Sequence, residues 1–175
     1  MAELPAKTVA ETATEMVEVV LPNDANPLGN ILGGKVMHLI DVAGAISAHR
    51  HARSQVVTVA MDHLDFLYPI RVGELIVLQA HLTRSFRTSM EVEVRVYRED
   101  YLTGERQQTS SAFVTYVALD SAGKPQEIPA LLPRTQEEKR RYREALERRR
   151  RRLALAVRAH RRYFEKGGKG VHSPR

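Results

Sequence analysis

The 175 residues contain no cysteine, which excludes disulfides and thiolate metal sites and removes the usual clue to redox compartment. There is no tryptophan, and aromatics are 6% of the chain, so stacking platforms for nucleic-acid bases have little to be built from. No apolar run approaches the ~18 residues that a membrane-spanning helix needs. The stretch Met1–Ala13 is rich in Ala, Thr and Glu and lacks the apolar core of a secretion signal. A soluble cytoplasmic protein is the expectation.

What is present is ordinary globular composition with an uneven charge. Hydrophobic residues are 43% and charged residues 27%, enough to bury a core in one domain or a domain with an appendage. The net charge of +6 hides two halves: residues 1–133 carry −5 and residues 134–175 carry +11. Arguments from basicity therefore concern the tail alone.

The stretch Asn23–Asp41 stands out. Its first half, with Asn23, Asn26, Pro27, Gly29, Gly33 and Gly34, is loop chemistry. Its second half turns apolar and helical and places one carboxylate, Asp41, among Leu39, Ile40, Val42, Ala43 and Ile46. A lone acid on an apolar helix is costly unless paired, protonated or used. Gly33 and Gly34 at a helix start leave backbone N–H groups open to a ligand. Gly29, Gly34 and Lys35 do fit the spacing of a phosphate loop, but Val36 stands where Ser or Thr must hold magnesium. Nucleotide hydrolysis is set aside.

Around this stretch the pattern predicts a strand over Glu15–Leu21 and a helix from Gly34 to about His51, with small Ala43, Gly44, Ala45 and Ala48 suited to close packing on a sheet. Strands are expected at Gln55–Met61, Asp65–Val72 (broken by Pro69), Glu74–Thr83, Met90–Tyr97 and Ser110–Leu119. Their short connections imply antiparallel pairing. The expected fold class is α+β: an antiparallel sheet of about five to six strands wrapped around one long helix. Pro125, Pro129 and Pro133 mark a linker. Thr135 with Glu138 is a capping box opening a helix to about Lys166, and the last eight residues read as disordered. Tyr142, Leu146, Arg149, Leu153, Ala156, His160 and Tyr163 fall at seam spacing. The tail is expected to dock on its own oligomer through that seam; nucleic acid or an anionic membrane is the rival partner.

Other polar clusters have plainer readings. His63 and Asp65 share a strand face, but a metal site wants a third ligand. His49 and His51 are taken as a solvated helix end. No metal site is expected.

Two segments, Pro22-Asn-Asp-Ala-Asn-Pro-Leu-Gly-Asn-Ile-Leu-Gly-Gly and Leu39-Ile-Asp-Val-Ala-Gly-Ala, resemble the hotdog-fold acyl-CoA thioesterases of the brain-type acyl-CoA hydrolase group and their bacterial relatives. The likeness continues through Val56-Val-Thr-Val-Ala-Met-Asp and Phe66-Leu-Tyr-Pro-Ile-Arg-Val-Gly-Glu to Arg87-Thr-Ser-Met-Glu. It covers roughly residues 12–128, the expected thioesterase domain, with 134–175 as a basic helical extension. The resemblance implies hydrolysis of a fatty acyl-CoA to CoA and free acid, with no cofactor beyond the CoA of the substrate. It implies a homo-oligomer built from dimers with a continuous sheet, commonly a hexamer. The catalytic acid then falls on Asp41 and its partner on Asn26 of the opposite subunit. Gly33 and Gly34 polarise the thioester carbonyl, and Arg87, Thr88 and Ser89 lie near the CoA, although Phe86 replaces the Gly usual two positions before Thr88. A non-catalytic acyl-CoA sensor on the same fold is the alternative, and the choice between base and nucleophile for Asp41 stays open.

Overall fold

A computed structural model describes residues 4–165. In chain order the elements are β1 (Lys7–Thr8), β2 (Thr14–Val19), α1 (Gly33–Ala52), β3 (Gln55–Asp62), β4 (Leu75–Ser85), β5 (Ser89–Glu99), β6 (Arg106–Leu119), β7 (Leu131–Leu132) and α2 (Gln136–Glu165). Five strands form one antiparallel sheet in the order β2-β4-β5-β6-β3, and β1 pairs with β7 in a small parallel ladder. One long helix lies against that sheet, the hotdog arrangement the resemblance implies.

The sheet has two different faces because side chains alternate along each strand. Met90, Val92, Val94 and Val96 of β5 point to one side and are fully buried with Leu78 and Leu82 of β4 and Val114 and Tyr116 of β6. Against them α1 lays a stripe at helical spacing: Val36, Leu39, Ile40, Ala43, Gly44, Ser47, Ala48 and His51. Burying a residue such as Ile40 contributes about 1.5–3 kcal/mol. The intervening residues Glu91, Glu93 and Arg95 point to the opposite face.

That opposite face receives α2. The capping box forms as expected: the Thr135 hydroxyl accepts from the Glu138 N–H at 3.1 Å, and the Glu138 carboxylate accepts from the Thr135 N–H at 3.0 Å. The expected seam docks only in part: Tyr142 packs on the core and Arg149 on Ser89 and Phe86. Ala145 is the one fully buried side chain among the described residues of α2, and arginines supply most of the other contacts. Arg148 donates to the wholly buried Glu91 at 2.7 Å and lies over the Phe113 ring at 3.6 Å. Arg141 meets Glu93 at 3.3 Å, and Arg152 meets Asp62. The helix docks on its own chain's sheet, and the Glu91 carboxylate that it covers is answered by the Arg148 it brings. Leu153 of the seam is exposed; His160 and Tyr163 lie beyond the residues whose side chains are described.

Two further expectations are corrected. Asp65–Val72 is not a strand. His63 takes a left-handed backbone (φ 48°) that ends β3, and Pro69 has no N–H for a ladder, so the segment makes isolated backbone contacts: Leu67 N–H to the Thr109 carbonyl at 2.9 Å and a bridge between Asn30 and Arg71. His51 is not solvated. It is fully buried, its Nε2 bonds the Pro129 carbonyl at 2.8 Å, and burial pulls its pKa below the usual histidine value. His49 is exposed and bonds the Ser54 carbonyl. The final eight residues lie outside the described ones. Among the described residues no helix is long and apolar enough to cross a membrane.

Candidate active site

Asp41 sits two turns into α1, on the flank of the buried stripe, where the helix faces the inner sides of β6 and β3. Thr58 and Tyr116 are cross-strand partners in the β3–β6 ladder, so both side chains project from one spot on one face. Both reach Asp41. The Thr58 hydroxyl donates to Oδ1 at 2.6 Å. The Tyr116 hydroxyl donates to the Asp41 backbone carbonyl at 2.9 Å and approaches Oδ1 at 3.4 Å. Among the described residues no hydrogen bond is made to Oδ2. One oxygen of the acid is thus anchored and the other is available. No cation is paired with it among the described residues, His38 being exposed and Lys35 turned to Glu18 and Asp24.

Two local features bring this about. The β3–β6 register shifts between Thr58 and Ala60, a bulge of the kind that re-aims a side chain at a strand edge. Gly44 makes room for the phenol, since a Cβ there would lie 2.3 Å from the Tyr116 oxygen. Burial raises the Tyr116 pKa above the ordinary phenol range, with the Asp41 charge adding to it. Tyr116 therefore stays a protonated donor. Thr58 falls within the Val56–Asp62 likeness without being singled out there, and Tyr116 carries no signal, because only the β3–β6 register brings them to Asp41.

The helix start forms a separate cavity. Asn26, Asn30, Gly33, Phe66, Tyr68 and Pro69 are among the residues lining a space of about 340 Å³. Leu32 caps α1 without any side-chain hydrogen bond, and no acidic residue occupies the first turn, so the amides of Gly33 and Gly34 face outward uncapped. Neither glycine has positive φ, and a Cβ on Gly34 would meet nothing. Open approach from outside, rather than backbone strain or internal packing, is what these glycines provide.

Asn26 has its side chain fixed by the loop. Its Oδ1 accepts from the N–H groups of Leu28 at 3.0 Å and Asn30 at 3.2 Å. Two backbone donors specify the oxygen, which leaves Nδ2 as a donor to whatever enters the cavity. Asp41 does not line this cavity. Within one chain the structure gathers Asn26 with Gly33, and Asp41 with Thr58 and Tyr116, but does not join the two groups.

The remaining candidates lie elsewhere. Arg87 is exposed and 3.4 Å from Glu127. The Thr88 carbonyl accepts from the Ala118 N–H at 3.0 Å. Ser89 is buried, and its hydroxyl accepts from Arg149 at 3.0 Å. Phe86, the departure from the family pattern, lies under Arg149 at 4.1 Å, so in this chain the hairpin serves as a seat for α2. His63 and Asp65 pair with each other at 2.8 Å on the surface.

Residues 28–105 match the thioesterase superfamily model. An uncharacterised acyl-CoA thioester hydrolase of Bacillus subtilis is 44% identical over 119 residues, 68% of this chain and 69% of that protein. The mouse cytosolic acyl coenzyme A thioester hydrolase is 35% identical over 78% of this chain, which spans only 36% of the mouse protein's length. An acyl-CoA hydrolase from Staphylococcus aureus, solved with butyryl-CoA and CoA, superposes with a TM-score of 0.86 at 33% identity, covering 92% of this chain and 98% of the other. That hydrolase has also been solved with an aspartate, a threonine and an asparagine each replaced by alanine, at positions separated by the same intervals as Asn26, Asp41 and Thr58 here. A hexameric acyl-CoA thioesterase superposes with a TM-score of 0.84 at 43% identity over 87% of this chain and 98% of its own.

Proposed function

The chain belongs to the thioesterase superfamily as an acyl-CoA thioester hydrolase, and we propose that it works through Asp41 of one subunit facing Asn26, Gly33 and Gly34 of another. The observation that carries the reading is the short bond from Thr58 to Asp41 Oδ1, which holds the carboxylate in one orientation with Oδ2 free. The acyl carbonyl oxygen accepts from the uncapped amides at the start of α1, where the partial positive charge of the helix terminus favours a developing oxyanion. Oδ2 takes a proton from a water whose oxygen attacks the carbonyl carbon. The Asn26 Nδ2 donor orients that water or the carboxylate. The tetrahedral intermediate then collapses, the carbon–sulfur bond breaks, and the CoA sulfur leaves with a proton. The reaction so written needs no metal or further cofactor.

A two-chain site is supported by the geometry of one chain. Thr58 lies on β3 and Asp41 beside it, and this edge strand reads Val56-Val-Thr-Val-Ala-Met without a charge before Asp62. Edge strands of monomers are usually blunted by charge, proline or a covering element. A second copy on this edge extends the sheet and sets the glycine cavity of one chain against the Asp41 of the other. We take the assembly to be a hexamer built from such dimers, acting in the cytoplasm on fatty acyl-CoA.

The test is release of free CoA from acyl-CoAs of graded length, followed with a thiol reagent, for the intact chain and for Asp41→Asn. The variant keeps the fold, because Thr58 still finds an acceptor, and loses most turnover. Near-normal turnover in correctly folded Asp41→Asn would refute the assignment of Asp41.

A further inference from the structure

α2 reaches further than the sheet it rests on. Its anchors cross the sheet in strand order. Arg84 of β4 lies over Tyr142 at 4.0 Å, Glu93 and Glu91 of β5 take Arg141 and Arg148, Phe113 of β6 lies under Arg148, and Asp62 of β3 takes Arg152. Since β3 is the edge strand, the sheet ends at the Asp62 anchor while the helix continues. From Leu153 to Arg158 every residue is exposed. Leu153, Leu155 and Val157 show 52%, 63% and 67% of their surface.

These apolar residues do not share a face. At about 100° per residue, Leu153 and Val157 lie nearly above one another while Leu155 points to the far side. Leu155 overhangs a groove of about 560 Å³ formed with Phe113, Arg148, Arg151, Arg152, Asp62 and His63. A helix lying on a membrane sorts its apolar residues to one side. One that is apolar on opposite sides is placed between protein surfaces.

We propose that Leu153–Arg158 is a clamp that lies on a second copy of this chain seated at the β3 edge. The proposal rests on the two-chain reading above and adds the surface that holds the pair together. Two observations meet here: the helix overhangs β3, so its exposed end is continuous with the edge on which the second copy sits; and that edge exposes Val57 and Val59 at 42% and 55%. The Leu153–Val157 flank is buried against the second copy.

The absence of cysteine permits a clean test. Val157→Cys is labelled with a benzophenone maleimide and irradiated in the assembled state, with mass measured by light scattering. An adduct of twice the chain mass, joining α2 to residues 55–65 or 106–119 of another copy, is the expected result. A chain ending at Arg152, which retains every anchor above, is expected to dissociate at about tenfold or more higher concentration, a loss of at least about 1.4 kcal/mol. If the intact protein is multimeric but the label reacts only within its own chain, or if truncation leaves association unchanged, the clamp is wrong and the two-chain site stands. If the intact protein is a monomer, both readings fall. Co-sedimentation with phosphatidylglycerol vesicles that is abolished by Leu153→Asp, with association unaltered, assigns the overhang to a membrane and overturns the proposal.

Discussion

Replacing Thr58 with valine removes one hydroxyl and changes little else. Valine keeps the β-branched shape and favours a strand at least as well as threonine, so β3 and its bulge are expected to persist. What disappears is a 2.6 Å hydrogen bond onto Asp41 Oδ1, a short contact of the charge-assisted kind. Hydrogen bonds to charged groups contribute about 1.5–3 kcal/mol. If that stabilisation serves to hold the carboxylate in its working orientation, turnover falls by about 10–150-fold, at about 1.4 kcal/mol per factor of ten. Substrate binding through the glycine cavity is untouched, so KM is expected to hold while kcat falls. The assay is initial-rate thiol release across acyl-CoA concentration, with circular dichroism and light scattering confirming fold and assembly. Thr58→Ser restores the hydroxyl and is expected to recover most of the loss. A valine variant with unchanged kcat, or a serine variant as slow as valine, would show that Thr58 does not position the acid.

Other expectations follow from the same contacts. Gly44→Ala would ordinarily stabilise a helix interior by about 0.5–1 kcal/mol; here its Cβ meets the Tyr116 oxygen at 2.3 Å, so urea denaturation is expected to show a loss of about 1–3 kcal/mol together with lower turnover. Arg148→Met leaves the buried Glu91 carboxylate without its cation and is expected to cost about 3–5 kcal/mol, much of it recovered by adding Glu91→Leu; a single variant as stable as the parent refutes the pairing. For Glu93, burial alone would raise the carboxyl, but the His81 hydrogen bond and the Arg95 and Arg141 cations outweigh it and hold the pKa to about 2, against an ordinary value of 4.5. A depressed folded-state pKa gives stability that is present above 4.5 and lost as pH falls toward 2. That loss is roughly 3 kcal/mol at about 1.4 kcal/mol per pH unit, and Glu93→Gln is expected to flatten it in acid titrations.

The sequence alone determined the elements with strong local signals. The alternation from Met90 to Tyr97, the helical spacing from Val36 to Ala48, and the Thr135–Glu138 capping box are each encoded within a dozen residues, and each formed. Asp41, Gly33 and Gly34 are legible as candidates because a lone acid and a glycine pair break the pattern around them. Asp65–Val72 misled because its apolar residues look like a strand, while His63 and Pro69 deny it a ladder. His51 misled because a basic helix end resembles a solvated one until Pro129 is folded over it.

Only the tertiary structure decided which side chains hold Asp41, because Thr58 and Tyr116 lie 17 and 75 positions away and meet it through strand register. It also decided where the described part of the basic tail docks. An arginine run reads as a solvated face, or as a polyanion site, until the sheet shows Glu91, Glu93 and Asp62 on its outer side, taking Arg148, Arg141 and Arg152. A carboxylate buried on a strand has to be answered by charge, and the residue that answers it can come from anywhere in the chain.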